Sequence, residues 1–233
     1  MSHSDNAVRS RLTFVCVGAG RGRRFGSDKV SEMLGDRTVL ETSIAALRAA
    51  APAAPVVVVV APEAVERWRE TLESASSGVL VVTGGDRRQD SVRLGVARAV
   101  DGGAEVVVIH DAARPLVHPD DIRRLIGTMG KADAAILATV VTDTVKRIDE
   151  NDLIRATIDR GPLRLAQTPQ AFRVAALENA WRRQDLSRDW SDEAALVEAD
   201  GCEVRTLLAS YPNPKLTNSD DLDLIRLMVG KGT

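Results

Sequence analysis

The chain alternates between two kinds of hydrophobic pattern. Short runs of β-branched residues without polar alternation, such as residues 56–61, are typical of strands that are covered on both faces. Longer segments with apolar residues three or four positions apart, such as residues 40–50, are typical of amphipathic helices. Because the two kinds follow one another along most of the chain, the pattern predicts an α/β domain with a Rossmann-like, mostly parallel sheet flanked by helices.

The individual elements follow from the same patterns. The predicted strands are residues 12–17, 56–61, 79–83, 106–109, 134–141 and 203–208. The predicted helices are residues 40–50, 63–75, 92–100, 174–183, 191–199 and 220–229, together with one that begins at Pro119 and is ended by Gly130. Asp90 or Ser91 is expected to cap the helix at residues 92–100.

Residues 142–172 break the alternation of helix and strand. Residues 144–148 and 153–158 are strand-like runs that are separated by polar residues, which predicts a β-hairpin. A lone two-stranded hairpin is marginally stable in water, so we expect a projecting arm over about residues 142–164 to form an interface. The expected assembly is a homodimer.

Composition and charge narrow the class of protein. The chain has 233 residues, of which 44% are hydrophobic and 27% charged, which suits a single domain over residues 1–233 with residues 1–11 as a loose tail. The formal net charge of −2 argues against nucleic-acid binding. The longest apolar run, residues 56–61, is too short to cross a membrane. Cys16 and Cys202 give neither a disulfide framework nor a metal-ligand spacing, so a cytoplasmic protein is expected.

A glycine-rich loop follows the first predicted strand. Glycine stands at positions 18, 20 and 22, and the loop also carries the cations Arg21, Arg23, Arg24 and Lys29. Glycines let the backbone approach a ligand closely, and clustered cations suit a polyphosphate. The loop therefore predicts a nucleoside triphosphate site.

Neither of the two familiar glycine-rich phosphate motifs fits this loop. The dinucleotide motif G-x-G-x-x-G requires glycine where Arg23 or Phe25 stands. A P-loop requires Gly-Lys followed by Ser or Thr, whereas Lys29 lies between Asp28 and Val30. Small residues followed by arginines and a lysine suit a triphosphate that is to be attacked, rather than a dinucleotide that is only held.

Six motifs along the chain carry a resemblance to a known family. They are Gly18-Ala19-Gly20-Arg21-Gly22-Arg23-Arg24-Phe25 with Lys29, Gly84-Gly85-x-x-Arg88-x-x-Ser91-Val92, His110-Asp111-Ala112-Ala113-Arg114-Pro115, Asp143-Thr144-Val145-Lys146, Thr168-Pro169-Gln170 and Lys215-x-Thr217. In this order and spacing the chain resembles the cytidylyltransferases that act on polyol phosphates. The resemblance covers residues 12–229, with departures from the usual family residues at Val17-Gly18 and at Asp28.

This resemblance implies a fold of the nucleotidyltransferase type and a Mg²⁺-dependent enzyme whose partners are CTP and a polyol phosphate. The implied reaction joins the phosphate of the acceptor to the α-phosphorus of CTP and releases pyrophosphate. Methylerythritol phosphate is the expected acceptor, in the non-mevalonate synthesis of isoprenoid precursors, and ribitol 5-phosphate is the alternative. A non-catalytic nucleotide-binding protein is a further alternative, because a fold alone does not give activity.

The resemblance also implies the residues of the site. Arg24, Lys29 and Lys215 are expected to hold negative charge around the α-phosphate, and Asp111 is expected to hold Mg²⁺. The residues expected around the nucleotide are Ala19, Gly20, Gly22, Gly85, Asp86, Ser91 and Ala112. The residues expected around the acceptor, some of them from a partner's arm, are Arg114, Thr144, Arg160, Thr168 and Lys215. His110 is expected to be structural.

Overall fold

The computed structural model describes residues 11–20, 28–74 and 78–230. These residues form a seven-stranded sheet with helices on both faces and two small antiparallel strand pairs. The α/β fold predicted from the sequence is confirmed. In this described part of the chain, no helix is long and apolar enough to cross a membrane.

The elements are numbered in chain order. The strands are β1 (Leu12–Val17), β2 (Met33–Leu34), β3 (Arg37–Thr38), β4 (Val56–Val60), β5 (Val79–Thr83), β6 (Val106–Asp111), β7 (Ala134–Val140), β8 (Val145–Ile148), β9 (Ile154–Ile158), β10 (Arg164–Arg173) and β11 (Val204–Leu208). The helices are α1 (Val39–Ala50), α2 (Val65–Leu72), α3 (Arg88–Asp101), α4 (Pro119–Met129), α5 (Val174–Arg183), α6 (Glu193–Ala199) and α7 (Ser219–Gly230).

The main sheet contains one strand that runs against all the others. Its order is β11, β7, β10, β6, β1, β4, β5, and β10 is antiparallel to both of its neighbours. The sequence pattern missed β10 because the polar residues and the proline of residues 167–170 interrupt its apolar positions. Pairing with β6 and β7 makes it a strand, with a shift in register between Ala166 and Gln170.

The two faces of the sheet form separate hydrophobic cores, because successive side chains of a strand point to opposite sides. Along β1, Phe14 and Cys16 lie in one core, whereas Val15 and Val17 lie in the other. Helices α1, α2 and α4 cover the first face, and helices α3, α5 and α6 cover the second. Helix α7 packs in a smaller third cluster that includes Leu216.

Two predictions about helix ends are wrong. The helix predicted at residues 63–75 is shorter, because a 3-10 turn precedes α2. The cap predicted at Asp90 or Ser91 lies inside α3, whose N-cap residue is Arg87. Asp90 pairs with the Arg87 guanidinium at 2.8 Å, and the Ser91 hydroxyl oxygen accepts from the backbone N–H of Gly85 at 3.1 Å. Both side chains therefore stabilise the turn before the helix rather than its first residue.

The predicted hairpin is confirmed. β8 and β9 pair antiparallel, with Val145 opposite Ile158, and they form a sheet of their own. Ile148, Leu153 and Ile154 on this arm are each more than half exposed. The arm thus presents apolar side chains outside the two cores.

A pair of helical glycines tests how closely α3 packs on the sheet. A Cβ on Gly95 of α3 would lie 2.6 Å from methyl groups of both Val15 and Val59, whereas a Cβ on Gly127 of α4 would meet no described atom within 4 Å beyond its own helix backbone. We expect Gly95→Ala to lower the free energy of unfolding by about 1–3 kcal/mol through overpacking. The matched Gly127→Ala should raise it by about 0.5–1 kcal/mol, because alanine favours the helix.

Urea unfolding of the two variants and the wild type measures this difference. Equal effects of the two alanines would contradict the close approach of α3 to β1 and β4.

Candidate active site

The candidate site lies where β1 and β6 end side by side. Val17, the last residue of β1, is in register with Asp111, the last residue of β6. Parallel strands of an open α/β sheet bring their chemistry to this carboxyl edge. The antiparallel β10 also contributes here, because the Thr168 hydroxyl oxygen accepts from the backbone N–H of Asp111 at 3.0 Å.

Asp111 is a buried carboxylate that is shared between two cations. Arg88 Nε donates to Asp111 Oδ1 at 3.0 Å, and Lys215 Nζ donates to Asp111 Oδ2 at 2.7 Å. Burial alone would raise the pKa of Asp111, but the positive charges of Arg88 and Lys215 outweigh burial and hold this pKa well below its usual range. The side chain is therefore an anion that already has two positive partners.

A second buried carboxylate lies behind Arg88. Arg88 Nη1 donates to Glu193 Oε2 at 2.8 Å, and Glu193, in the first turn of α6, is 3% exposed. Burial raises the pKa of Glu193, and Arg88 opposes this effect. The sequence reasoning gave neither residue a role, although Arg88 lay within a recognised motif.

The two predicted catalytic lysines lie on neighbouring parts of this site. Lys29 Nζ donates to the backbone carbonyl of Leu216 at 3.1 Å, directly beside Lys215 in the chain. Asp28, which departs from the family pattern, accepts from Arg67 at 2.6 Å and from Ser31 at 2.7 Å. These contacts tie the turn that carries Lys29 to α2.

Two predicted residues, Arg24 and Gly22, lie outside the described residues.

The residues predicted around the nucleotide converge on the loop after β5. A Cβ on Gly84 would lie 2.3 Å from Ala19 Cβ and 2.8 Å from Ser91 Oγ, so only glycine allows these groups to meet. Gly85 follows directly and is held by Ser91. The predicted group of Ala19, Gly85 and Ser91 is thus brought together.

Three further residues that were predicted to contact the nucleotide lie around this loop or beside β1. Ala112 donates its backbone N–H to the Val17 carbonyl at 2.9 Å. Asp86 is exposed in the turn before α3. A Cβ on Gly20 would meet no described atom within 4 Å.

The predicted acceptor residues Arg114 and Thr168 meet through Asn213. Arg114 Nη1 donates to the Asn213 backbone carbonyl at 2.7 Å, and Asn213 Nδ2 donates to the Thr168 carbonyl at 2.8 Å. Buried Arg114 Nε and Asn213 Oδ1 have no hydrogen-bond partner among the described residues. The sequence reasoning missed Asn213, although its place two residues before Lys215 is a signal that could have suggested it.

Thr144 and Arg160 lie at the base of the hairpin arm. Both are exposed, and Arg160 donates to the backbone carbonyl of Thr142. In the described residues, they lie outside the hydrogen-bond network that joins Asp111, Lys215 and Thr168. Their role at the acceptor, reached from a partner's arm, stays a prediction.

His110 has the satisfied, buried position predicted for a structural histidine. It is fully buried, with Nε2 at 3.1 Å from the Arg114 carbonyl and Nδ1 at 3.3 Å from the Thr168 hydroxyl. Burial lowers the pKa of His110 from 6.5 to about 4. At neutral pH the ring is uncharged and links the strand end to β10.

Comparison with known proteins identifies relatives over nearly the whole chain. Residues 12–231 match the family model described as "IspD: 2-C-methyl-D-erythritol 4-phosphate cytidylyltransferase". A protein of that name from Alkaliphilus metalliredigens is 33% identical, over 97% of this chain and 94% of its own length. A solved structure named for the same activity, from Thermus thermophilus, is 30% identical with a TM-score of 0.74, over 94% of this chain and 99% of that one.

Other relatives are longer than this chain. A "Bifunctional enzyme IspD/IspF" from Nitrobacter winogradskyi is 37% identical over 91% of this chain but only 54% of its own length. The chain thus spans about half the length of the curated relatives of this kind that it matches.

The burial of His110 predicts a pH dependence of stability. The unfolded chain binds a proton at this histidine near pH 6.5, whereas the folded protein binds it only near pH 4. Between these values the unfolded state holds more protons, so the free energy of unfolding falls as the pH decreases. In His110→Gln this decrease should be smaller by about 3 kcal/mol at pH 4.

Urea unfolding at pH 7 and at pH 4 measures the difference in slope. Glu193 and Asp111 also titrate with shifted pKa values, but both proteins retain them, so the comparison isolates His110. Above pH 6.5 the two proteins should respond alike, and identical slopes below it would refute the neutral buried ring.

Proposed function

Because the chain belongs to the 2-C-methyl-D-erythritol 4-phosphate cytidylyltransferase family, we propose that it transfers the cytidylyl group of CTP to 2-C-methyl-D-erythritol 4-phosphate. The products would be the CDP-linked polyol and pyrophosphate. The observation that carries the proposal is the placement of two lysines at this strand end: Lys215 donates to the carboxylate of Asp111, and Lys29 donates to the backbone carbonyl of Leu216, the next residue in the chain. Two cations at a strand end next to a glycine-lined loop are what a reacting triphosphate needs.

The acceptor supplies its own nucleophile. The second pKa of a phosphomonoester is about 6, so its oxygen is already ionised at neutral pH and requires no general base. Catalysis then depends on bringing two anionic phosphates together and on offsetting the charge that develops at the α-phosphate. Lys29 and Lys215 would offset this charge, and Arg24 would add a third cation.

Lys215 must exchange partners to take this role. Its ammonium lies 2.7 Å from Asp111 Oδ2, and the incoming phosphates would compete for it. Arg88 contacts the other oxygen of the same carboxylate, so Asp111 keeps a positive partner when Lys215 turns to phosphate. This arrangement lowers the cost of releasing Lys215, because no buried charge is left unpaired.

Asp111 is the residue that would bind Mg²⁺. In the ranges that the structure describes, no group of three or more His, Cys, Asp or Glu side chains is arranged to hold a metal. Mg²⁺ commonly keeps several waters and binds through one or two carboxylates together with substrate phosphates. A single carboxylate at the strand end fits that pattern. Asp111 would hold the ion, which when bound would neutralise charge on the phosphate oxygens.

The homodimer is part of the proposal as well. Arg114 and Thr168 would contact the acceptor, while Thr144 and Arg160 would reach the acceptor site of the partner subunit from the arm. The support is the exposed apolar surface of the arm, at Ile148, Leu153 and Ile154. A hairpin with such side chains gains stability when a second subunit covers it.

The reaction is proposed to belong to a biosynthetic pathway in the cytoplasm. The CDP-linked polyol would serve the non-mevalonate synthesis of isoprenoid precursors. Both cysteines, Cys16 and Cys202, are free thiols. Free thiols are typical of a reducing compartment, so we expect the reaction to take place in the cytoplasm.

Removing either lysine tests the proposed charge stabilisation. We expect Lys29→Ala and Lys215→Ala each to lower kcat/KM at least about a hundredfold, because each removes a cation that acts on developing charge. Pyrophosphate release from CTP and 2-C-methyl-D-erythritol 4-phosphate is the measurement. The exposed Lys131→Ala is the matched control and should retain wild-type activity. Full activity in Lys29→Ala would refute the site assignment.

A substrate panel tests the assigned reaction. The wild-type protein should release pyrophosphate fastest with CTP and 2-C-methyl-D-erythritol 4-phosphate, compared with ribitol 5-phosphate as acceptor and with ATP, GTP and UTP as donors. Faster turnover of ribitol 5-phosphate would show that ribitol 5-phosphate, and not 2-C-methyl-D-erythritol 4-phosphate, is the acceptor. Binding of CTP without pyrophosphate release for any acceptor would indicate a non-catalytic protein.

Mixing two inactive variants tests whether the arm crosses between subunits. In a heterodimer of Arg160→Ala and Lys29→Ala, one of the two sites would receive an intact Lys29 and an intact Arg160. A 1:1 mixture that exchanges subunits freely should recover about a quarter of wild-type activity. Absence of recovery, or a monomeric mass by light scattering in the active protein, would contradict the crossing arm.

A further inference from the structure

The segment that carries Lys215 has no regular secondary structure. Residues 209–218, called here the Lys215 segment, connect β11 to α7 without helix or strand. Such a segment cannot hold a side chain in place through its own backbone hydrogen bonds, so other parts of the protein must anchor it. Its two ends are held in different ways.

The C-terminal end of the Lys215 segment is anchored next to the strand end of β6. The backbone N–H of Leu216 donates to the Ala113 carbonyl at 2.7 Å. Asp221 of α7 accepts the backbone N–H groups of Thr217 at 2.7 Å and Asn218 at 3.0 Å. This end is therefore tied to the site and to its own following helix.

At the N-terminal end, Ala209 donates its backbone N–H to the Ala138 carbonyl of β7 at 2.9 Å, and the next two residues are held by a buried carboxylate from another helix. Asp121, in the first turn of α4, is 1% exposed. Its two oxygens accept the Ser210 backbone N–H at 3.1 and 3.0 Å, and Oδ2 also accepts the Tyr211 backbone N–H at 3.3 Å. Arg124 Nη1 donates to Asp121 Oδ1 at 2.9 Å and supplies the opposite charge.

Aromatic stacking supports the same anchor. The rings of Tyr211 and His118 lie 3.6 Å apart with an interplanar angle of 17°. His118 is the N-cap residue of α4, so the stacking and the hydrogen bonds of Asp121 attach the Lys215 segment to the start of the same helix.

The hydrogen bonds are the stronger of these two kinds of contact, because they run from backbone N–H groups to a buried carboxylate.

The residues between Ser210 and Lys215 form a stiff connection, so the position of Ser210 affects the position of Lys215. Residues 211–215 read Tyr-Pro-Asn-Pro-Lys. Proline fixes its φ angle, so Pro212 and Pro214 leave few backbone torsions that could absorb a shift. Between them, Asn213 is held by Thr168 and Arg114. A displacement at Ser210 and Tyr211 would therefore move Asn213 and Lys215.

We propose that Asp121 is a positioning residue of the reaction, which acts by anchoring the Lys215 segment so that Lys215 faces Asp111 and the phosphates. This inference rests on the proposed function for its kinetic consequence. The anchoring itself is a property of the folded chain and is measurable without turnover.

Asp121→Asn and the double variant with Lys215→Ala test the proposal by kinetics. Asparagine keeps the shape but has one acceptor oxygen, and its amide group opposes the backbone N–H donors. We expect the single variant to lower kcat/KM for the acceptor roughly tenfold to a hundredfold, since a displacement of about 1 Å can cost about a hundredfold. In the Lys215→Ala background the same change should cost less than about twofold, because its effect passes through Lys215.

The matched control is Asp120→Asn. Asp120 lies in the same helical turn with an exposed side chain, 3.6 Å from His118 Nδ1. This change removes the same charge from the start of α4 but leaves in place the hydrogen bonds of Asp121 to the Lys215 segment. Its kcat/KM should stay within about twofold of the wild type. An equal loss in both single variants, or an undiminished loss in the Lys215→Ala background, would overturn the proposal.

Chemical labelling of lysines gives a readout that does not depend on activity. We expect an amine-reactive anhydride to label Lys215 at least about threefold faster in Asp121→Asn, relative to Lys131, because the segment opens more often. Unchanged labelling would overturn the proposal. If labelling rises as expected but the wild type releases no pyrophosphate, the proposed function fails while the anchoring role stands.

A second variant covers the case in which Asp121→Asn does not fold, as judged by circular dichroism. Arg124→Gln removes the cationic partner of Asp121 together with a hydrogen bond from Arg124 to the Ser210 hydroxyl. The Arg124 side chain is 46% exposed, so its loss is compatible with folding. We expect a roughly threefold loss of kcat/KM and faster labelling of Lys215. Wild-type kinetics together with wild-type labelling in Arg124→Gln would overturn the proposal.

Discussion

The structure of the site depends on how the charge of one buried carboxylate, that of Asp111, is balanced. A buried ion without partners costs several kcal/mol or more, so a carboxylate at this strand end requires cations from elsewhere in the chain. Arg88 comes from α3 and Lys215 from the segment after β11, and Glu193 from α6 balances Arg88 in turn. Two acidic and two basic side chains thus form a cluster that joins two helices on one face of the sheet to the strand end of β6 and to the Lys215 segment.

The antiparallel strand β10 makes this cluster possible. It lies between β6 and β7, and its bulged part brings Thr168 to the backbone N–H of Asp111. The same part of the strand holds Asn213 through the Thr168 carbonyl. Since Asn213 lies two residues before Lys215, β10 connects the strand end that carries the anion to the segment that carries the cation.

Close backbone approach shapes the other half of the site. Gly84 allows the loop after β5 to touch Ala19 and Ser91, and Gly95 allows α3 to lie directly on β1 and β4. Because α3 lies so close, its first residue, Arg88, reaches Asp111 across the end of the sheet. Helix α3 therefore links its own close packing on the sheet to the ion pair between Arg88 and Asp111.

Much of the fold could be predicted from local patterns, whereas most pairings of the site could not. Continuous apolar runs predicted β1 with its observed limits and β4 with one residue too many, because a strand buried on both faces leaves that signature in any sequence. The strand β10 was missed, because its polar residues are favourable only between two neighbours that burial has already brought together. The residue types of the site could also be predicted from the sequence. Glycines indicated close approach of the backbone, and lysines and an aspartate indicated binding of phosphate and of a metal ion.

Partners across long stretches of chain were beyond local reasoning. Sequence reasoning gave no role in the site to Glu193, Asn213 or Asp121. Their partners lie about a hundred residues away in the chain, and only the folding of both segments onto one sheet edge makes them meet. The sequence by itself determined the kinds of element and the kinds of chemistry, because these depend on local periodicity and residue type. Which charge faces which was decided by the tertiary structure, because burial strengthens an ion pair only once packing has excluded water from both partners.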